Sequence, residues 1–140
     1  MAAFNKFQNF VEDLGKGTHQ LHAAGHTLKV YLSNTAPVAT NTVKADIAEI
    51  TAGNGYTAGG ADTQNDYTET SGTGSCTGVD VVWTAAGGTI GAFRYVILYN
   101  DTPTSPADPL IGWWDYGSSI SLNDTETFTT DFGSSMFTVA

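Results

Sequence analysis

The stretch from Thr89 to Tyr116 constrains this chain more than any other. It reads TIGAFRYVILYND, then a loop holding Pro103, Pro106 and Pro109, then PLIGWWDYG. Side chains alternate along a strand, so Phe93, Tyr95, Ile97 and Tyr99 are expected on one face and Arg94, Val96 and Leu98 on the other. A strand that is apolar on both faces belongs in the middle of a structure. One face then builds a sandwich core, and the other is left to meet a partner.

The rest of the chain supplies partners for such a pair of strands. Thr27–Ser33 alternates. From Tyr67 onward strand-like runs follow closely at Tyr67–Ser71, Cys76–Thr84, Ile90–Asn100, Leu110–Tyr116, Ser119–Leu122, Thr125–Phe132 and Ser135–Val139. Turn residues separate them: Gly72–Gly74, Gly87–Gly88, the proline loop, Gly117–Ser118, Asn123–Asp124 and Gly133–Ser134. About eight short strands without helical crossovers predict an all-β fold, an antiparallel β-sandwich of jelly-roll-like kind. The chain has 21 threonines and 16 glycines, and this supports the reading: threonine, branched at Cβ, favours strands and glycine supplies turns. At 140 residues a single domain, 1–140, is expected.

Residues 1–25 read as an N-terminal arm, helical or extended, packed on this domain or on a partner. Phe4, Phe7, Val11 and Leu14 recur at spacings of three and four, with Phe10 beside them, and Gly15 ends the run. A helix this short must dock on something. Thr42–Ile50 reads as a second short helix capped by Thr42. Ala52–Ala61 is too rich in glycine to be regular.

Charge is distributed unevenly. The net charge is −9 and the pI near 4.3, which disfavours nucleic acid and anionic membranes as partners. Residues 1–44 carry four lysines against Glu12 and Asp13, whereas residues 45–140 carry twelve acids against Arg94 alone. Different neighbours are expected for the two segments. Arg94 lies in an apolar strand and needs a carboxylate; Asp80 and Asp115, on flanking strands, are the candidates. A lone cysteine, Cys76, excludes an internal disulfide. The segment MAAFNKFQNFVEDL lacks the apolar core of a signal peptide, and no run is long enough for a membrane span. A soluble product of a reducing cytoplasm is therefore expected, and the N-x-T sequons at Asn100 and Asn123 are chance matches.

Catalytic and ligand-binding patterns are weak throughout. His19, His22 and His26 are spaced for one helix face, but Gly17 and Gly25 interrupt any helix there, so solvent-facing turn histidines are expected instead of a metal site. Gly53-Asn-Gly55-Tyr-Thr-Ala58 matches a dinucleotide fingerprint only formally, because no helix follows it. Cys76 has no cation nearby to lower its pKa. Asp115 beside Trp113 and Trp114 suggests a glycosidase-like grouping, but adjacent tryptophans in a strand face opposite ways. The acidic turns Asp62–Asp66 and Asn123–Glu126 lack the spacing of a calcium loop. No enzyme activity, cofactor or metal is expected.

Three segments carry a resemblance: FNKFQNFVEDL; LKVYLSNTAPVATNTVKADIAEITAGNGYTAGG; and GGTIGAFRYVILYND with PLIGWWDYGSSISLNDTETFT. Together they resemble small acidic structural proteins of tailed bacteriophages, in particular the capsid cement, or decoration, proteins of podovirus-type phages. The resemblance implies a jelly-roll-like fold and a homo-oligomer, with a dimer expected. It also implies a virion location on the head exterior, bound to the major capsid protein, after synthesis in the host cytoplasm. On that reading Phe4, Lys6, Phe7, Phe10 and Val11 form one candidate contact, and Tyr95, Tyr99, Trp113 and Trp114 form a second. The rival is a tail-fibre module that binds a receptor or carbohydrate.

Overall fold

The computed structural model describes residues 2–140; Met1, the first residue of the expected arm, lies outside them. Ten strands are present among the described residues: β1 (Asn5–Lys6), β2 (Leu28–Ser33), β3 (Ala61–Asp62), β4 (Asp66–Thr70), β5 (Thr73–Thr77), β6 (Val81–Thr84), β7 (Ile90–Asn100), β8 (Leu110–Leu122), β9 (Thr127–Thr130) and β10 (Phe137–Val139). One helix, α1 (Asn9–Gly15), and a single 3-10 turn at Lys44–Asp46 complete the regular structure. A five-stranded sheet in the order β1-β8-β7-β2-β3 faces a three-stranded sheet, β10-β5-β4, and the β6-β9 pair. All the pairings are antiparallel. The expected all-β antiparallel sandwich is what the chain forms.

The main core lies between the layers. Leu28, Val30 and Leu32 from β2, Val96 and Leu98 from β7, and Ile111 and Trp114 from β8 meet Cys76, Trp83 and Phe137 from the smaller sheets. A second cluster lies on the opposite face of the same large sheet. It contains Phe7, Tyr31, Ile47, Tyr95, Ile97, Tyr99 and Leu110, with Trp113 against it. Thus β2 and β7 are buried on both faces, as their sequence demanded. The second face is covered by the chain's own residues, however, and is not left open to a partner.

Strict alternation fails at Phe93. Phe93 shares the main core with Val96, three residues on, while Tyr95, Ile97 and Tyr99 face the second cluster. The pairing of β7 with β8 shifts register on either side of Phe93, which is the effect of a bulge. Between Gly91 and Phe93 the extra residue is Ala92 of β7; beyond Phe93 the extra residues lie in β8, where Gly117 takes φ +101°. The break expected at Gly117–Ser118 is therefore an irregularity inside one 13-residue strand. Conversely, the single strand expected over Cys76–Thr84 is two strands. Gly78, Val79 and Asp80 separate them, and Met136 packs against Gly78 with its sulfur 2.8 Å from where a Cβ would lie.

Neither expected helix has the predicted extent. Asn5 and Lys6 pair with Trp113 and Gly112 as a short edge strand, and α1 begins only at Asn9. The unpaired backbone of β8 competes for this segment, and a seven-residue helix has little stability of its own to oppose it. Between 42 and 50 only the 3-10 turn forms. The Asp46 carboxylate accepts from the Thr42 and Val43 N–H groups at 2.9 and 3.2 Å, and these donors hold its carboxyl below the usual range. The chain then extends along β2, with the Ile50 N–H donating to the Leu32 carbonyl at 3.1 Å.

Gly60 marks the tightest approach of this loop to the sheet. A Cβ there would lie 1.8 Å from the Val30 carbonyl oxygen, and its φ is +81°. Gly87 has the same φ of +81° with nothing within 4 Å. Gly60→Ala is expected to cost about 3 kcal/mol or more, from strain plus overpacking. Gly87→Ala should cost only about 1–2 kcal/mol, from the left-handed backbone alone. Urea unfolding followed by tryptophan fluorescence separates the two, and equal losses would contradict the close approach.

Candidate functional site

The residues weighed for chemistry are dispersed and largely engaged in structure. Cys76 is fully buried, and burial, with Asp66 nearby, pushes its thiol up to about 12. Asp115 meets Arg94 through two hydrogen bonds of 2.8 and 3.1 Å, and this pairing holds the Asp115 carboxyl below the usual range. Asp80, the other candidate partner, accepts instead from the Phe132 N–H at 3.0 Å. The Arg94–Asp115 pair is 39% and 38% exposed rather than buried, so solvent screens it and it adds little stability. Gly53 and Tyr56 exchange backbone hydrogen bonds of 2.8 and 3.0 Å, which makes this glycine segment a tight turn. Asp66 accepts from the Ala23 and Tyr67 N–H groups, Asp124 from the Gly87 N–H and Glu126 from the Asn123 N–H. No cluster of three or more histidine, cysteine or acidic side chains fit for a metal occurs among the described residues. No helix among them is long and apolar enough to cross a membrane.

The histidines were expected in solvent, but His19 is only 6% exposed. Residues 16–27 form a strap over the ends of β2 and β7, and two buried asparagines hold it. Asn65 accepts from the Leu28 N–H and donates to the Leu21 and His26 carbonyls. The Asn100 amide group lies 3.1 Å from Nδ1 of His19 and 2.9 Å from Nδ1 of His26. The His19 ring also packs on Phe10, at 5.2 Å between centroids. Its Nε2 has no partner among the described residues. Burial, followed by the charge of His26, lowers the His19 pKa from 6.5 to about 4.

A polar clamp holds the cover on the second face. Lys44 contacts Glu49 at 2.9 Å and lies over the Tyr31 ring at 4.7 Å. The second Glu49 oxygen accepts from the Tyr56 hydroxyl and the Gly59 N–H, both at 2.7 Å. The Tyr99 hydroxyl donates to the Gly59 carbonyl at 2.6 Å, and burial raises the pKa of Tyr31, Tyr56 and Tyr99. Sequence reading missed this clamp, because a lysine and a glutamate five residues apart in an irregular loop carry no pattern.

The surface left for interaction is the flank where the two layers end. Among the described residues only Gly112 and Trp113 of β8 have a strand partner on the outer side, and β9 and β10 are also edges. Two hollows open there. One, of about 420 Å³, is lined by Trp114 and Tyr116 of β8 and by Phe128, Thr129 and Asp131 around β9. The other, of about 290 Å³, lies between α1 and β10 and includes Lys6 and Val11. Phe4 sits between them, packed on Trp114 at 5.3 Å and stacked on Phe137 at 5.1 Å.

The expected contact residues therefore separate into two groups. Phe7, Phe10, Tyr99 and Trp114 are buried in the chain's own clusters, and Tyr95 is nearly so. That removes them as free contacts. Trp114 belongs to the main core, whereas Trp113 packs on Phe7 at 4.6 Å on the second face and stays half-buried. Phe4 is also half-buried, and Lys6 and Val11 are exposed. The flank adds Tyr116, Phe128, Asp131 and Val139, which strand alternation alone could not group because they come from separate sheets.

The burial of His19 gives stability a pH dependence. Above about pH 6.5 the imidazole is neutral in both states and its full contribution is present. As pH falls toward 4 the unfolded chain takes up a proton that the folded chain excludes, so stability declines across that window and levels off below it. The loss is expected to reach about 3 kcal/mol, and His19→Gln should flatten it. Urea titrations between about pH 4 and 7 check this; an unchanged slope in the variant would assign the effect to other groups. Comparison of the chain with protein-family models, curated proteins and solved structures finds no match.

Proposed function

We propose that this protein is a structural component of a tailed-phage particle. On this reading it is a cement protein that binds the outside of the head and staples neighbouring major capsid proteins against the pressure of packaged DNA. The observation that carries the reading is the contrast between the body and the flank. The central strands are packed on both faces and locked by the Lys44–Glu49 clamp, which suits a rigid part under load. The flank combines unpaired strand edges, two apolar hollows and exposed Val11 and Tyr116, at 57% and 54%. The phage-like segments named above point the same way. A homodimer is part of the proposal, because a dimer engages two shell sites at once and multiplies a modest affinity.

The larger hollow favours a second reading. Trp114, Tyr116 and Phe128 with the Asp131 carboxylate are the kind of aromatic and acidic lining that holds a sugar, as in a receptor-binding tail module. Copy number separates the two readings. A cement protein is present at a stoichiometry comparable to the shell protein, whereas a tail module is present in few copies.

Quantifying this chain in purified heads therefore tests the reading directly. A double variant, Val11→Asp with Tyr116→Ser, is expected to lower head occupancy by about tenfold or more, as loss of two interface anchors does. Val82→Asp, at an exposed position of β6, should leave occupancy unchanged. Normal occupancy of the double variant would place the contact elsewhere, and binding of the isolated chain to glycans would favour the tail module.

A further inference from the structure

We propose that the hollow between α1 and β10 receives an extended peptide segment that alternates apolar and acidic residues, with Lys6 as its charge anchor. This rests on the reading of the flank as the docking surface, and it specifies the occupant.

Three observations converge on that chemistry. The first is the wall. β10 pairs with β5 on one side only, so its other edge presents backbone donors and acceptors without a strand partner. An extended chain supplies the missing partners by strand addition, which a helix or a convex surface cannot do. The second is the interior. Phe10, Leu14 and Phe137 line a space of about 290 Å³, with Phe10 edge-on to Phe137 at 5.4 Å. That volume lies at the small end of ligand pockets, about 300–1,000 Å³, and suits aliphatic side chains better than a cofactor. In an extended segment every second side chain points inward, so the others face the rim.

The third observation is the rim charge. The chain has five basic side chains and 14 acids. Lys16, Lys29, Lys44 and Arg94 each have a carboxylate partner, in Glu12, Asp101, Glu49 and Asp115. Lys6 has none among the described residues. The acids of the neighbouring helix are already committed, Glu12 to Lys16 and Asp13 to the Asn9 amide at 2.9 Å. In so acidic a chain, the one lysine without a carboxylate lines the hollow. Its complement is an acid brought by the occupant. An exposed pair of this kind adds little affinity but sets which segment is accepted.

The test uses the full chain, labelled for amide NMR, with a synthetic alternating Leu–Asp peptide and its Leu–Lys counterpart. The Leu–Asp peptide is expected to shift the amides of Lys6, Val11, Thr138 and Val139 and to bind about fivefold tighter than Leu–Lys. Added salt should shrink that margin. Lys6→Glu, at an exposed position that leaves the fold intact, should reverse the preference, and Lys6→Arg should restore it. Equal binding of both peptides, no binding, or shifts confined to other residues would overturn the proposal. So would concentration-dependent shifts of the same amides without peptide, because a second copy would then be the occupant. Absence of the chain from purified heads would defeat the cement reading and leave the peptide result standing, so the two failures are distinguishable.

Discussion

The burial of β2 and β7 on both faces is the constraint on which the rest of the chain depends. Two neighbouring strands that expose neither side need a layer above and a layer below. The smaller sheets supply one, and Phe7 with the loop around Ile47 supplies the other. That loop is irregular and would not cover a sheet unaided. The Lys44–Glu49 pair, three tyrosine hydroxyls and the close contact at Gly60 fasten it. Each of these groups gains more from its partners in a partly dry site than it would in water. The aromatic residues of β2 and β7 thus have structural work on both faces, and the free surface moves to the flank.

This relocation explains which parts of the architecture were legible in the sequence. The ends of β7 and its apolar faces could be read directly, because alternation along one strand is a local property. So could the all-β class, from the spacing of strands and turns. The N-terminal stripe misled, since Phe4, Phe7, Val11 and Leu14 have helical spacing, yet Phe4 and Phe7 end in different clusters across the edge of β8. What decided their fate was a free edge more than a hundred residues away along the chain, which no local period records. The roles of Trp113 and Trp114 were undecided for a similar reason, because alternation separates two neighbours without saying which faces the core. The register shifts on either side of Phe93 accompany its move to the main core. Of the candidate contacts, Lys6 and Val11 remain at the surface, while the residues that complete the flank come from β8, β9 and β10 and converge only in space.

The electrostatic pattern is also clearer in three dimensions. A net charge of −9 describes a surface in which nearly every cation is neutralised locally. The excess of acids is spread over loops, where many carboxylates cap backbone N–H groups. The exception to this pairing, Lys6, lies at the hollow between α1 and β10 and sets the charge proposed for its occupant.

Phe4 has a consequence beyond filling space. Its ring lies on Gly112, where even a Cβ would come within 2.2 Å of it, and it separates the two hollows of the flank. A group that enters the α1–β10 side and tilts this ring alters the packing of Trp114, which lines the other side. Any group that displaced Phe4 would therefore act on both hollows, and a change of affinity it caused in one would be matched by an equal change in the other.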